Sequence, residues 1–184
     1  MGNEDIVRIR TDLRPGDLGY LTYLHGKLYA EEYGYGLGFE SYVMTGLGEF
    51  GTRYNPPRDR VWICEDPKER VGYLVSIHRG DAMQLRYFLL LPAYRGKGWG
   101  RKLMELFIEH MAAQGLTKAY LWTTHEQETA AALYTRFNFK LTEEKPSSAF
   151  GKELTERRYD LDISASSSHV AGGDGAPRSS PIRP

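Results

Sequence analysis

The chain has 184 residues, 24 Lys+Arg against 24 Asp+Glu, and a single cysteine, Cys64. Balanced charge excludes a global field that would draw nucleic acid or an anionic membrane. One cysteine excludes an internal disulfide, which fits a reducing, cytoplasmic setting.

Met1-Gly2-Asn3-Glu4-Asp5 is acidic and reads as neither a signal peptide nor a membrane span. Ile6 stands where a myristoylation signal from Gly2 needs Ser or Thr. Residues 6–10 alternate and predict an outer strand. Pro15-Gly16-Asp17 then opens a helix, in which Leu18, Leu21, Leu24 and Leu28 recur at helical spacing as far as Tyr29, and Gly34 and Gly36 stop it. Phe39, Tyr42, Val43, Leu47 and Phe50 predict a second helix, weakened by Gly46 and Gly48. After a turn at Asn55-Pro56-Pro57, strands are predicted over 60–65, 71–78 and 83–90. Their short connections make them an antiparallel meander.

Residues 98–114 predict a strong helix with an apolar stripe of Leu103, Leu106, Phe107 and Met111. The strand predicted over 118–123 follows a helical crossover and is therefore parallel to the strand before it. A short helix over 129–137 and strands over 140–144 and 157–163, with a long loop between them, close the fold. Residues 164–184 are rich in Ser, Gly and Pro and read as a disordered tail, so the domain spans 1–163. The fold class is α/β (α+β): a mixed, mostly antiparallel sheet of about six to seven strands with helices on both faces. If the fourth and fifth strands splay, the unpaired backbone between them can receive an extended, amide-bearing ligand.

The loop between the strand at 83–90 and the helix at 98–114 reads Tyr94-Arg95-Gly96-Lys97-Gly98-Trp99-Gly100-Arg101. Glycines allow backbone N–H groups to converge on one anion, and a helix N-terminus adds its partial positive charge. Arg95, Lys97 and Arg101 add cations. The loop implies a pyrophosphate ligand. It is not a P-loop, because Trp99-Gly100 stands where Lys-Ser/Thr is required, and its alternating glycines do not make GxGxxG.

These residues resemble the GNAT family of acyl-CoA-dependent N-acetyltransferases, whose signature Arg/Gln-x-x-Gly-x-Gly/Ala is matched by Arg95-Gly96-Lys97-Gly98-Trp99-Gly100. Leu133-Tyr134-Thr135-Arg136-Phe137-Asn138-Phe139 is similar to the family's Leu-Tyr-x-x-x-Gly-Phe helix end, with Asn138 in place of glycine. Asn tolerates the left-handed backbone that position needs. Arg14-Pro15-Gly16-Asp17-Leu18-Gly19, the segment from His25 to Gly34, Phe39-Glu40 and Ser148-Ala149-Phe150-Gly151 resemble the acetyltransferase half of bacterial regulators that fuse a MarR-type winged helix to a GNAT domain. The winged helix is absent from this chain, so no nucleic-acid partner is expected, and the balanced charge and lack of a long apolar run at the N-terminus lead to no expected membrane partner.

The resemblance implies a GNAT-type sheet splayed between its fourth and fifth strands, acetyl-CoA as cosubstrate and no metal. It places the pyrophosphate on the N–H groups of Arg95, Gly96, Lys97, Gly98, Trp99, Gly100 and Arg101. Pantetheine lies along Phe88, Leu89 and Leu90, pairing with the backbone of Phe88 and Leu90, and an N–H near Leu90 meets the oxyanion. Tyr134 matches the tyrosine that protonates the departing thiolate, and Gln127 stands near a family asparagine that contacts the cofactor. Direct attack by a primary amine needs a base; Glu32, His25, Glu31, Glu40 and His78 are candidates, with Glu32 and His25 in the helix region that walls the acceptor site. The aromatic residues between Tyr20 and Phe50 can be core, acceptor pocket or a homodimer face. Trp62, Trp99 and Trp122 read as structural, with Trp99 capping the loop onto the core, and Cys64 as an inert buried thiol. A peptide amine acceptor and a non-catalytic acyl-CoA sensor are the alternatives.

Overall fold

The computed structural model describes residues 7–164. The start of the first expected strand, Gly2 and all but the first residue of the expected tail lie outside the described residues. Seven strands form one sheet: β1 (Arg8–Arg10), β2 (Arg60–Glu65), β3 (Arg70–Arg79), β4 (Ala82–Leu90), β5 (Lys118–Thr124), β6 (Lys140–Ser147) and β7 (Leu154–Asp162). Four helices accompany them: α1 (Asp17–Tyr33), α2 (Leu37–Arg53), α3 (Trp99–Ala113) and α4 (Glu128–Arg136). The strand order is β1-β2-β3-β4-β5-β7-β6, and among the described residues only β4 and β5 pair in parallel.

Each face of the sheet carries its own core. Leu21, Leu24 and Leu28 of α1 and Phe39, Val43, Leu47 and Phe50 of α2 pack on Val61, Ile63, Tyr73 and Val75. On the opposite face Leu103, Met104, Phe107 and Met111 of α3 meet Leu74, Met83, Leu85 and Leu121. β4 serves both cores, with Met83 and Leu85 in the second and Tyr87 and Leu89 in the first. Cys64 is fully buried in the second core, and burial pushes its thiol up to about 12, which leaves it inert.

Asp17 fixes the position of α1. Its carboxylate, 1% exposed, takes both Nη1 and Nη2 of Arg10, lies 2.9 Å from Arg70 Nε and accepts the Arg14 backbone N–H. Burial works to raise the carboxyl pKa, but these donors hold it below the usual carboxylate range. One buried charge thus ties α1 to β1 and β3.

Two expectations need correction. The long loop between the last two strands does not exist: β6 runs on through Pro146 and turns over 148–153 directly into β7, because β6 is an edge strand where proline costs no ladder bond on its open side. The two N-terminal helices, β3 and β4 also run a turn or less beyond their expected ends, whereas β2 keeps its expected bounds. The expected left-handed residue is present, with Asn138 at φ 64° and the Phe139 N–H closing on the Tyr134 carbonyl.

Candidate active site

The strands β4 and β5 touch only at their starts, through Met83 opposite Ala119 and Gln84 opposite Tyr120. Beyond that point β5 stays with β7, and the edge of β4 over 85–90 has no strand partner on that side. A bulge widens the gap. Val75 stands opposite Arg86 and Tyr73 opposite Leu89, so Leu74 alone faces both Tyr87 and Phe88. Tyr87 takes φ 52°, a left-handed conformation rare for an aromatic residue. The bulge reverses the alternation of β4: Met83 and Leu85 face the α3 core, whereas Tyr87 and Leu89 face the α1–α2 core. Leu90 is back in register with Gly72 and its carbonyl already accepts from Arg95 Nε at 2.9 Å, while the irregular backbone lies at Tyr87 and Phe88.

A cleft opens at this splay. Its walls include Phe88 on β4, Thr123 and Thr124 on β5, Gln127 and Tyr134 at α4, and His25 and Tyr29 on α1. Tyr134, 5% exposed, has its ring 6.4 Å from that of Phe88 and 6.2 Å from those of Phe139 and Tyr159. Burial pushes its phenol above the ordinary tyrosine range, so it keeps its proton as a donor.

The loop before α3 is built for an anion. Gly96 and Gly98 take φ 71° and 86°. Among the described residues the amides of 96–101 find no backbone acceptor; the first such bond is from Lys102 N–H to the Gly98 carbonyl at 3.0 Å. A row of unpaired amides at the start of a helix suits an anion. Gly100 serves a different need: a Cβ there would stand 3.3 Å from Leu133 Cδ2, so the glycine lets α3 approach α4. The three cations rest on protein partners. Arg95 forks onto Glu32 at 2.8 and 2.9 Å, Lys97 lies over the Tyr94 ring, and Arg101 meets Glu105. Trp99 does not cap the loop onto the core: it is half-buried and is not among the residues packed against either core, and Arg95 ties the loop to α1 and β4 instead.

The candidate bases are scattered. His25, 3% exposed, donates from Nδ1 to the Leu21 carbonyl at 3.0 Å, stacks on Tyr29 and meets Tyr87 edge-on. Burial pushes its pKa down to about 4, so it is neutral at pH 7 with its lone pair on Nε2. Glu32 does not line the cleft; both its oxygens are taken by Arg95. His78 lines a second cavity, and Glu31 and Glu40 are exposed. Three charged or aromatic cleft residues were not singled out in the sequence. Glu156 on β7 is one, placed there by the unread start of that strand. Arg86 and Tyr87 are the others, brought to one face by the bulge. Trp122, read as structural, also lines the cleft, with Lys145 Nζ 4.5 Å from its ring centroid. Gln127, at the start of α4, accepts from the Thr123 hydroxyl at 2.5 Å.

Among the described residues no helix is long and apolar enough to cross a membrane, and no three His, Cys, Asp or Glu side chains cluster as a metal site would require.

A family model described as the acetyltransferase (GNAT) family matches residues 27–139. An uncharacterized N-acetyltransferase, YjgM of Escherichia coli K12, is 32% identical over 98 residues, which is 51% of this chain and 59% of that protein. A mycothiol acetyltransferase of Corynebacterium glutamicum is 33% identical over 79 residues, 42% of this chain and 27% of that protein. The matched segments thus span 59% and 27% of the length of these relatives. Among solved structures, an acetyltransferase from Streptococcus agalactiae superposes with TM-score 0.70 at 21% identity, covering 85% of this chain and 98% of that one. The spermidine N-acetyltransferase of Vibrio cholerae, solved with CoA and spermine, gives TM-score 0.64 at 21% identity, covering 86% and 96%.

Proposed function

We propose, for a chain that belongs to the GNAT family of acetyltransferases, that it transfers an acetyl group from acetyl-CoA to a primary amine by direct attack in a ternary complex. The observation that carries the reading is the coincidence of two unpaired backbone surfaces: the amides of 96–101 at the start of α3 and the free edge of β4 beside the bulge. The first suits a pyrophosphate and the second an amide-bearing arm. The residues present therefore fit acetyl-CoA, which supplies the activated acyl group.

The chain's own residues then divide the work. Gly96, Lys97, Gly98, Trp99, Gly100 and Arg101 hold the pyrophosphate by backbone N–H groups, and Arg95 is released from Glu32 to add its charge. Phe88, Leu89 and Leu90 flank the arm, and the backbone at the bulge meets the acyl oxygen as it gains charge. Tyr134, protonated and reaching the cleft, hydrogen-bonds the departing sulfur. The attacking amine must first lose a proton. His25 Nε2 and the Glu156 carboxylate are the cleft groups able to accept it, directly or through water, whereas Glu32 positions Arg95. Bond making between nitrogen and the acyl carbon is balanced by cleavage of the carbon–sulfur bond, with the ammonium proton leaving to the base.

Isothermal titration with acetyl-CoA, CoA and ATP side by side tests the cofactor, and thiol release on an amine panel tests turnover. Tight binding of both CoA species but not ATP is expected. Binding of neither CoA species would sink the proposal; binding without thiol release on any amine would leave an acyl-CoA sensor.

A further inference from the structure

The charges of the cleft do not suit a polycation. Its acidic side chain, Glu156, is paired with Lys145 at 3.4 Å. Its basic side chain, Arg86, has no ion pair among the described residues. The Arg86 guanidinium instead donates to the Tyr42 hydroxyl at 3.1 Å and lies over the rings of Tyr42 and Tyr87, 5.4 and 4.8 Å from their centroids.

The position of this guanidinium is built. The bulge puts Arg86 and Tyr87 on the same face of β4. Both side chains converge on Gly46 of α2, where an added Cβ would stand 2.2 Å from Tyr87 Oη and 2.8 Å from Arg86 Nη2. Only glycine leaves room there. The Tyr87 hydroxyl is buried, with the residue 7% exposed, and has no hydrogen-bond partner. Burial pushes its pKa up to about 12, so it carries a proton to donate. An unpartnered buried hydroxyl costs about 1–3 kcal/mol, which a ligand acceptor would recover.

Arg86 also lines the neighbouring cavity, beside Arg53, Arg79, His78 and Asp59. There Arg53 meets Glu49, Arg79 donates to Gln84, and Asp59 accepts the backbone N–H groups of Asn55 and His78. The surroundings of Arg86 on both sides are therefore neutralised or basic, and its fork is the one most available to an anion. A guanidinium fork matches a carboxylate in two parallel hydrogen bonds.

We infer that the acceptor is a small amine that also bears a carboxylate, held by the Arg86 guanidinium and the Tyr87 hydroxyl while its amine reaches the splay between β4 and β5. The Tyr29, Phe39, Tyr42 and Phe150 rings take its apolar body. The inference rests on the acetyl-transfer reading above and narrows its substrate class. It separates this chain from the spermidine acetyltransferase it superposes on, whose named ligand is a polyamine.

The test is thiol release from acetyl-CoA with free L-amino acids, their methyl esters, tyramine and spermidine, on the full chain and on Arg86→Gln, Arg86→Lys and Tyr87→Phe. The wild type should favour an amino acid over its ester by about ten- to a hundredfold in kcat/KM, the value of a charge-assisted pair. Arg86→Gln should lose that preference through KM on the acid while leaving the ester and acetyl-CoA KM unchanged. Arg86→Lys, which keeps charge but not the fork, should fall between. Tyr87→Phe, a near-isosteric change that does not depend on Arg86 variants folding, should raise KM for the acid several-fold. Equal turnover of acid and ester, preference for tyramine or spermidine, or an equal loss on acid and ester in Arg86→Gln would overturn the inference and leave acetyl transfer standing. CoA binding without thiol release on any amine would overturn acetyl transfer itself, and this inference with it.

Discussion

Replacing His25 by Phe should remove a defined part of the acid sensitivity of folding. His25 is sealed among Tyr29, Tyr87 and the α1 backbone, with burial pushing its pKa from 6.5 to about 4. The unfolded chain takes the proton near pH 6.5, while the folded chain refuses it until about pH 4. Between those values the unfolded state holds more protons, so acid favours unfolding; the stability is present above pH 6.5 and is lost as pH falls toward 4. At 1.36 kcal/mol per pKa unit the full effect is about 3 kcal/mol, of which about 2.5 kcal/mol is lost by pH 4.5. Urea unfolding at pH 7.5 and 4.5, followed by tryptophan fluorescence, measures it. Depressed carboxylates such as Asp17 and Asp160 also weaken the fold in acid, but they act equally in both proteins. The wild type should therefore lose about 2.5 kcal/mol more than His25→Phe. Losses equal to within about 0.5 kcal/mol would mean that His25 is hydrated or protonated in the folded state, and its Nε2 would then be no neutral proton acceptor at pH 7.

Tyr134→Phe should lower thiol release about a hundredfold with little change in acetyl-CoA affinity measured by titration; an equal fall in affinity would make Tyr134 a packing residue. Gly98→Glu should abolish CoA binding while circular dichroism stays native, since a side chain at φ 86° is strained and its charge opposes the pyrophosphate; retained binding would remove the cradle from 96–101. Glu32→Gln should shift acetyl-CoA KM by less than about tenfold and leave kcat near wild type, because the exposed fork to Arg95 contributes little on its own. A fall in kcat above about a hundredfold with a changed pH profile would restore Glu32 as the base. Deleting 164–184 should leave CoA binding and turnover unchanged, and a large loss of either would move the domain boundary past Ile163.

The helices and the meander were legible because their signals are local. The leucine spacing of α1, the stripe of α3 and the turn residues flanking β2, β3 and β4 each sit within a dozen residues of what they specify. The glycine loop before α3 was legible for the same reason: glycine at positive φ and a helix start are neighbours in the chain. Where Trp99 would point was not, because half-burial depends on what the rest of the fold brings near. The end of β6 was missed because Pro146 argues against a strand unless the strand is known to be an edge, and edges are decided by the whole sheet.

The shape of the cleft depends on matches across the fold that no window contains. Gly46 weakens a helix when read along the chain. In the structure it is the space into which Arg86 and Tyr87 project from a strand forty residues away. The bulge that sends both side chains to one face leaves no periodic trace either, since it replaces one alternating pattern by another shifted by a residue. An aromatic residue at φ 52° costs of order 1–3 kcal/mol and persists only where its surroundings over-determine it. Here Gly46 supplies the room, Leu74 the single opposing residue and the splay the missing partner strand. Filling Gly46 with Ala should therefore disturb the acceptor side of the cleft while the unpaired amides of 96–101, built from local sequence, continue to bind CoA.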